Sequence, residues 1–322
     1  MKANLKFSIV IVTILFHSMV STLSAQSLSD ALVNSYNNSG LLEQNRALLR
    51  AADENTVIAS SALLPIVSWA ANFSGNWTET EIVGGGTGVS SSDLVWRGTV
   101  GLNSSLTIFD GGTNKFAADV TKQNVLATRQ GLISLEQRVI SSAVSAFMGV
   151  LEGIETVRLR EKNYSVIEEE LRAARDRYEV GEITRTDVAL AEARLASSSS
   201  ALSAAKGLLV RAEAIFKNSV GVLPVNLVAP KEMPVLPKTI NEALSIATSS
   251  HPELRQLQYQ IKASELTVKR IKASSKAKMI LNGDIGISDS DVQSDTLQAS
   301  IGLRLSGTIY QGGSIKAKQR QA

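Results

Sequence analysis

The 322-residue sequence has no cysteine, two histidines and six prolines, and aromatic residues make up 5% of it. Without cysteine there is no disulfide framework and no thiolate metal site. His17 falls in the N-terminal leader, so His251 is the one imidazole left for the rest of the chain. That is too little for a zinc centre, a Ser-His-Asp group or a Cys-His pair, and no cofactor or metal is expected. Charge of one sign is also scarce: the formal net charge is +3, and losing Lys2 and Lys6 with the leader lowers it to +1. This removes the electrostatic footprint of a nucleic-acid partner. Beyond the leader no apolar run is long enough to be read as a membrane-spanning helix, which needs about 20 residues. What remains is a chain that is 44% hydrophobic, enough for a core of ordinary size.

The leader itself, residues 1–25, has two lysines, an apolar run from Phe7 to Phe16 and the small-residue stretch Ser21-Thr22-Leu23-Ser24-Ala25. It reads as a secretory signal peptide cleaved near Ala25 or Gln26. The missing lipobox cysteine argues against a lipid anchor at the mature N-terminus. An exported chain with no spanning helix is either soluble or crosses a membrane as strands.

The remainder is an internal repeat. Ser29-Asp30-Ala31-Leu32 opens one helical segment and Asn241-Glu242-Ala243-Leu244 opens another, 212 positions later; Leu42 meets Leu254 and Ala51 meets Ala263 at that offset. Ile108-Phe109-Asp110-Gly111-Gly112 returns as Ile309-Tyr310-Gln311-Gly312-Gly313 at an offset of 201, and the deletion between them falls near Gly84-Gly85-Gly86. The first repeat is assigned to residues 26–223 and the truncated second to 241–322. The connector, 224–240, holds four of the six prolines between Pro224 and Pro237 and should be extended.

Each repeat runs helix, strand, strand, helix. From Ile66 to Trp77 the chain alternates, placing Val67, Trp69, Ala71, Phe73 and Trp77 on one face and Ser68, Asn72, Ser74 and Asn76 on the other. Leu94, Trp96, Val100, Leu102, Leu106 and Ile108 oppose Arg97, Thr99, Asn103, Ser105 and Thr107 in the partner strand, closing a hairpin over 66–109. In the second repeat the hairpin covers 279–310, with Met279, Leu281, Ile285 and Ile287 followed by Leu297, Ala299, Ile301, Leu303 and Leu305. Strands of about 11 to 14 residues match or exceed the length that crosses a bilayer with tilt. Alternation alone also suits a soluble sandwich with one wet face. Aromatic placement favours the membrane: Trp77 and Trp96 should flank the hairpin loop, while Phe109 and Tyr310 close the opposite ends, with Trp69 between them, as interfacial residues would.

The segment from Thr113 to Tyr178 has no proline and is read as one helix of roughly 100 Å. Ala143, Val150, Val157, Tyr164, Leu171 and Tyr178 recur at seven-residue spacing, the period of a coiled-coil seam. The return helix, ending near Val220, carries a large series, Val188, Leu195, Leu202, Leu209 and Phe216, and a small one, Ala191, Ser198, Ala205, Ala212 and Ser219. Between the helices Gly181 suits a left-handed cap, and Thr184 with Asp187 forms a capping-box pair.

Arg177-Tyr178-x-x-Gly181, Asp187-Val188 followed by Ala191-Glu192, and the paired Phe-Asp-Gly-Gly and Tyr-Gln-Gly-Gly elements resemble the TolC family of outer-membrane efflux proteins. The likeness covers everything after the leader. It implies an α+β membrane protein with long coiled-coil helical hairpins in a periplasmic tunnel. It also implies four transmembrane strands per chain in a twelve-stranded, trimeric barrel. Four strands leave two bare edges, so oligomerisation follows from physics, whereas the trimer follows from the resemblance. The implied function is that of a passive exit duct for drugs or proteins in an efflux or type I secretion system. Its implied partners are a periplasmic adaptor (membrane fusion protein), an inner-membrane pump and outer-membrane lipid. The implied location is the outer membrane of a Gram-negative bacterium, with a periplasmic extension.

The tip residues Arg177, Tyr178, Val180, Gly181, Thr184, Thr186 and Asp187 would face the adaptor. Thr186 and Asp187 match family positions near the contacts that close the tunnel, while capping is the other reading of Asp187. Asp110, Gly111, Gly112, Gly312 and Gly313 mark the strand-helix junctions. By the length of the first hairpin, about 110 further residues would complete the second, so the sequence reads as truncated at its C-terminus. A periplasmic coiled-coil adaptor or structural protein is the alternative, and it should lack the paired bilayer-length strands. Gly84 to Gly88 lacks the Lys-Ser/Thr of a phosphate loop, His251 before Pro252 reads as a cap, and the run of Glu168 to Arg177 reads as a salt-bridged outer helix face.

Overall fold

The computed structural model describes residues 26–82, 89–231, 234–291 and 293–322. The expected signal peptide and the Gly84-Gly85-Gly86 loop lie outside the described residues. Helix α1 (Leu28–Asn38) and helix α2 (Gly40–Ser61) lead into strands β1 (Ile66–Ile82) and β2 (Val89–Phe109), then helix α3 (Thr113–Glu179) and helix α4 (Arg185–Val220). After the connector come α5 (Ile240–Ser250), α6 (Pro252–Ala273), β3 (Lys278–Ser290), β4 (Gln293–Ser306) and α7 (Ser314–Gln321). The offset of 212 fits the boundaries of both helix pairs and the first residues of β1 and β3. Ser39 and His251, which separate the paired helices, are 212 apart as well. His251 is indeed a cap: its Nδ1 accepts from the Glu253 N–H at 3.3 Å. The chain divides into two compact units, one of residues up to Glu43 with Leu135–Lys238, the other of Gln44–Ser134 with Thr239–Ala322.

In the first unit the core is built on small and aromatic residues. Ala31 of α1, Ala143, Ala146, Phe147 and Val150 of α3, and Phe216 and Val220 of α4 form one buried cluster. The Phe147 and Phe216 rings meet at 6.3 Å and 46°, a tilted pair of the kind aromatic quadrupoles favour. One expectation is corrected here: by length and composition α3 contains an 18-residue stretch apolar enough to cross a membrane. The heptad seam holds through α4, where all ten residues of the two series are buried or half-buried, and in α3 from Ala143 to Leu171, whereas Tyr178 is exposed; Ser197 to Ser200 are helical with Ser198 turned inward. A methyl at Gly153 would stand 3.0 Å from Leu209 Cδ1, so the glycine sets how closely α3 and α4 approach. The described part of the connector forms no helix or strand before Ile240 and bends at Asn226, which has φ +46°, and Gln26 bridges to it, its N–H donating to Val225 O and its carbonyl accepting from the Val228 N–H.

In the second unit the four strands form one antiparallel sheet in the order β1-β2-β3-β4, so the two repeats join edge to edge through β2 and β3. Register aligns Ile66 with Ser105, Val100 with Ile287, and Leu281 with Leu303. Three expectations are corrected. β1 has 17 residues and β2 has 21, longer than expected, because pairing runs on through the polar stretches up to Ile82 and Val89. Trp77 and Trp96 therefore sit within the ladder and do not flank its loop. Finally, β4 ends at Ser306, so Tyr310 lies outside the strand and the second hairpin is shorter than 279–310.

Candidate functional site

The sheet is chemically two-sided. Trp69, Phe73 and Trp77 of β1 share a face with Leu94, Trp96, Val100 and Leu102 of β2: Trp69 pairs with Leu102 and Trp77 with Leu94, and the others lie at two-residue steps between them, Phe73 opposite Gly98, Trp96 opposite Gly75 and Val100 opposite Ala71. Ile285 and Ile287 extend that face into β3, and Leu297, Ala299, Ile301, Leu303 and Leu305 into β4. In the single chain the face is uncovered: Trp69 is 75% exposed, Phe73 73%, Leu297 68% and Ile301 81%. Water would make this continuous apolar surface a liability. The opposite face carries Ser68, Asn103, Asn282, Asp284, Ser300 and Arg304, which line a polar hollow. The stretch in which β2 pairs with both neighbours, Arg97 to Ser105, spans about 27 Å along the strand, or about 20 Å of bilayer at a tilt near 40°.

The aromatics are organised by a residue that alternation does not reveal. Gly75 lies opposite Trp96, and a methyl there would stand 2.7 Å from the indole. The ring covers the glycine and stacks on Phe73 at 5.4 Å and 13°. Cross-strand register, not sequence spacing, makes this arrangement. Asp291 is a second such residue. Its N–H donates to Trp96 O, and its Oδ1 accepts from the Trp96 N–H at 3.1 Å, closing the β2–β3 ladder.

At the strand-helix junction Asp110 is the organiser. Its Oδ1 accepts from the Gly112 N–H at 2.8 Å and its Oδ2 from the Asn114 N–H at 2.7 Å, satisfying donors that open α3. Asn114 Nδ2 in turn donates to Ala62 O at 3.1 Å, tying α3 to the end of α2. Gly111 has φ +69°, and a methyl there would stand 2.8 Å from Ala273 O. Gly312 and Gly313 also have positive φ, but nothing lies within 4 Å of their would-be methyls. The two glycine pairs thus share a backbone conformation and not a packing environment.

The hairpin tip closes with a Schellman pair. The Glu182 N–H donates to Arg177 O at 2.9 Å and the Gly181 N–H to Tyr178 O at 3.0 Å, with Gly181 at φ +82°. The next helix opens on a capping box: Thr184 N–H donates to Asp187 Oδ2 at 2.9 Å while Thr184 Oγ1 accepts from the Asp187 N–H at 3.3 Å. The Thr184 hydroxyl, followed by its backbone N–H, holds the Asp187 carboxyl below the usual value. Capping, one of the two readings of Asp187, is therefore what its carboxylate does here. Val180 is 73% exposed, and Arg177, Tyr178, Thr186 and Asp187 are exposed as well. Just behind the tip the helices are pinned by Arg175 Nη2 to Glu192 Oε1 at 2.8 Å, and farther back by Lys206 to Glu161 at 3.1 Å.

A sheet apolar over most of one face and polar on the other, continuous in sequence with a heptad-patterned helical hairpin, is the architecture of an outer-membrane efflux protein. The chain belongs to the outer membrane efflux protein family, which it matches over residues 31–222. It is 34% identical to the outer membrane efflux protein BepC of Brucella suis over 307 residues, covering 92% of this chain and 64% of BepC. The chain thus spans a little under two thirds of that relative. Among solved structures, the CmeC outer membrane channel of Campylobacter jejuni superposes with a TM-score of 0.77 at 18% identity, covering 91% of this chain and 64% of CmeC. The open-state MtrE channel of Neisseria gonorrhoeae gives 0.74 at 17%, with 91% and 66% covered. These structures share the fold. The protein resides in the outer membrane.

Proposed function

We propose that the full protein is a passive exit duct, with three copies closing one barrel and handing substrates outward from an inner-membrane pump through a periplasmic adaptor. It catalyses no reaction. The observation that carries this reading is the uncovered apolar face running across all four strands between two unpaired edges. In lipid such a face is satisfied, and the edges are satisfied only by β1 of one copy meeting β4 of the next. The polar face then lines an aqueous lumen. The tip from Arg177 to Asp187 is where the adaptor docks, since its two caps fix the turn locally and leave Val180 and Tyr178 presented. Whether the cargo is a drug or a protein is set by the pump.

The test is fractionation and conductance of the full-length protein. It should require detergent, run as an oligomer that dissociates on heating, and form pores in planar bilayers. Recovery as a water-soluble monomer with no conductance would exclude the duct and favour the coiled-coil adaptor reading.

A further inference from the structure

The end of the sheet nearest the helices is where the two repeats differ most in charge. At the offset of 212, Val57, Ile58, Leu64 and Ile66 of the first repeat correspond to Lys269, Arg270, Lys276 and Lys278 of the second. At the offset of 201, Ala117 and Asp119 correspond to Lys318 and Arg320. Between Lys269 and Lys278, and again from Gly307 to Ala322, the sequence has no Asp or Glu. Lys276, Lys278, Lys316, Lys318 and Arg320 are all exposed.

Helix electrostatics account for only part of this. Arg270 and Lys272 lie in the last turn of α6, where the macrodipole favours cations. Helix α7 is the reverse case. Lys316 lies in its first turn, where a cation opposes the dipole, and no side chain caps that end, although Lys318 and Arg320 lie in its last turn, where the dipole favours them. The dipole therefore does not account for Lys316.

The level of these cations in the sheet indicates what they meet. Lys278 pairs with Ser306, one step beyond the Met279–Leu305 pair that ends the apolar face. Tyr310, 84% exposed, and Ile309, fully exposed, come four and three residues after β4 ends, and Lys316 follows within two turns of chain. An exposed aromatic at the edge of a lipid-facing band, followed by clustered cations, is the arrangement that meets ester and phosphate groups at a membrane surface.

Resting on the bilayer placement above, we infer that the base of the second repeat is a binding surface for anionic phospholipid headgroups of the periplasmic leaflet, phosphatidylglycerol being drawn in preference to zwitterionic lipid. Each protomer carries one such surface, so an assembled barrel would hold anionic lipid at repeating positions and not as a uniform ring. The first repeat keeps one cation at the same level, Lys115 in place of Lys316, but has Ala117 and Asp119 in place of Lys318 and Arg320, so it would compete less well.

The experiment uses the full-length protein reconstituted in phosphatidylcholine vesicles with trace spin-labelled phosphatidylglycerol or phosphatidylcholine, and reads the motionally restricted fraction of each. The wild type should favour phosphatidylglycerol by about fivefold, the effect of one well-engaged basic residue, and by more if several act together. The triple variant K316Q/K318Q/R320Q should bring the ratio close to one. The charge-preserving K316R/K318R should keep the wild-type ratio, and inorganic phosphate at constant ionic strength should leave it unchanged.

Equal preference in wild type and triple variant overturns the inference, as does abolition by inorganic phosphate, which would make the surface a generic anion site. Unchanged preference with loss of the oligomer in the triple variant also overturns it, and assigns the cations to a neighbouring copy. Failure of the wild type to enter vesicles would remove the duct reading too. Insertion and conductance without lipid preference would remove this inference alone.

Discussion

The two repeats coincide where hydrogen-bond ladders and helix packing set the geometry, and part company where individual side chains close the ends. Both have paired helices with boundaries 212 apart and both give two strands to one sheet. Yet α3 begins under an aspartate that takes two backbone N–H groups, while α7, at the matching junction, has no side-chain cap. Gly111 is hemmed in by Ala273 and Lys276, whereas Gly312 is surrounded by open space. Periodicity is enough to specify a lipid-facing strand or a seam helix twice over. The corners are specified residue by residue, and they need not be specified the same way twice.

The comparison is tested most severely where the repeats should behave alike. Leu102 in β2 and Ile301 in β4 both lie near the middle of the apolar face. Leu102→Lys and Ile301→Lys should each cost about 2–4 kcal/mol, the cost of a lysine near the bilayer midplane, read by denaturant unfolding of the full protein from vesicles. A large cost in one repeat and none in the other would mean that only half of the sheet faces lipid.

At the junctions the repeats should separate. Gly111→Ala must hold a non-glycine residue at φ +69° and also displace the Ala273 carbonyl or the Lys276 side chain, for a loss of about 2–4 kcal/mol when strain and overlap are combined. Gly312→Ala meets only the strain of φ +58°, about 1–2 kcal/mol. Thermal unfolding of the two variants side by side should rank them in that order, and equal losses would show that the crowding at Gly111 relaxes freely. A smaller contrast comes from the preceding residues: Asp110→Ala should cost about 1 kcal/mol through its two lost caps, and Gln311→Ala close to nothing. Chemical denaturation of the detergent-solubilised protein would measure both.

The same contrast explains what could be read from the sequence. The helical hairpin was legible almost to the residue, because heptad spacing, a glycine and a Thr-x-x-Asp pair are local signals; α3 ends at Glu179 and α4 is capped by Thr184. The two-faced strands were legible because alternation has a period of two. Strand length was not: Thr78 to Ile82 and Val89 to Asp93 stay paired through backbone bonds that hydrophobic pattern does not report. Nor was the cover of Trp96 over Gly75, which exists only once the register brings residues 21 positions apart together. The junction motif showed in the repeat of Gly-Gly, but that Asp110 works there while Gln311 does not cap α7 depends on where the carboxylate can reach.

Capping provides the smallest effect and the one that pH can tune. Helix α1 opens on a full capping box, with Ser27 N–H donating to Asp30 Oδ2 at 3.0 Å and Asp30 N–H donating to Ser27 Oγ at 3.2 Å. At the matching start of α5, Thr239 Oγ1 accepts from the Glu242 N–H at 3.1 Å. Hydrogen bonds from the Ser27 side chain and then its backbone hold the Asp30 carboxyl below its unfolded value of 3.8, as Thr184 does for Asp187. A carboxyl depressed in the folded state stabilises the fold above its unfolded pKa, and that contribution is lost as pH falls from there through the folded value. Between pH 5 and pH 3 the wild type should therefore lose slightly more stability than the double variant Ser27→Ala/Thr184→Ala, whose carboxyls lack those partners. Parallel denaturation at the two pH values decides it: equal losses in wild type and double variant would show that the boxes stay closed with their carboxyls protonated.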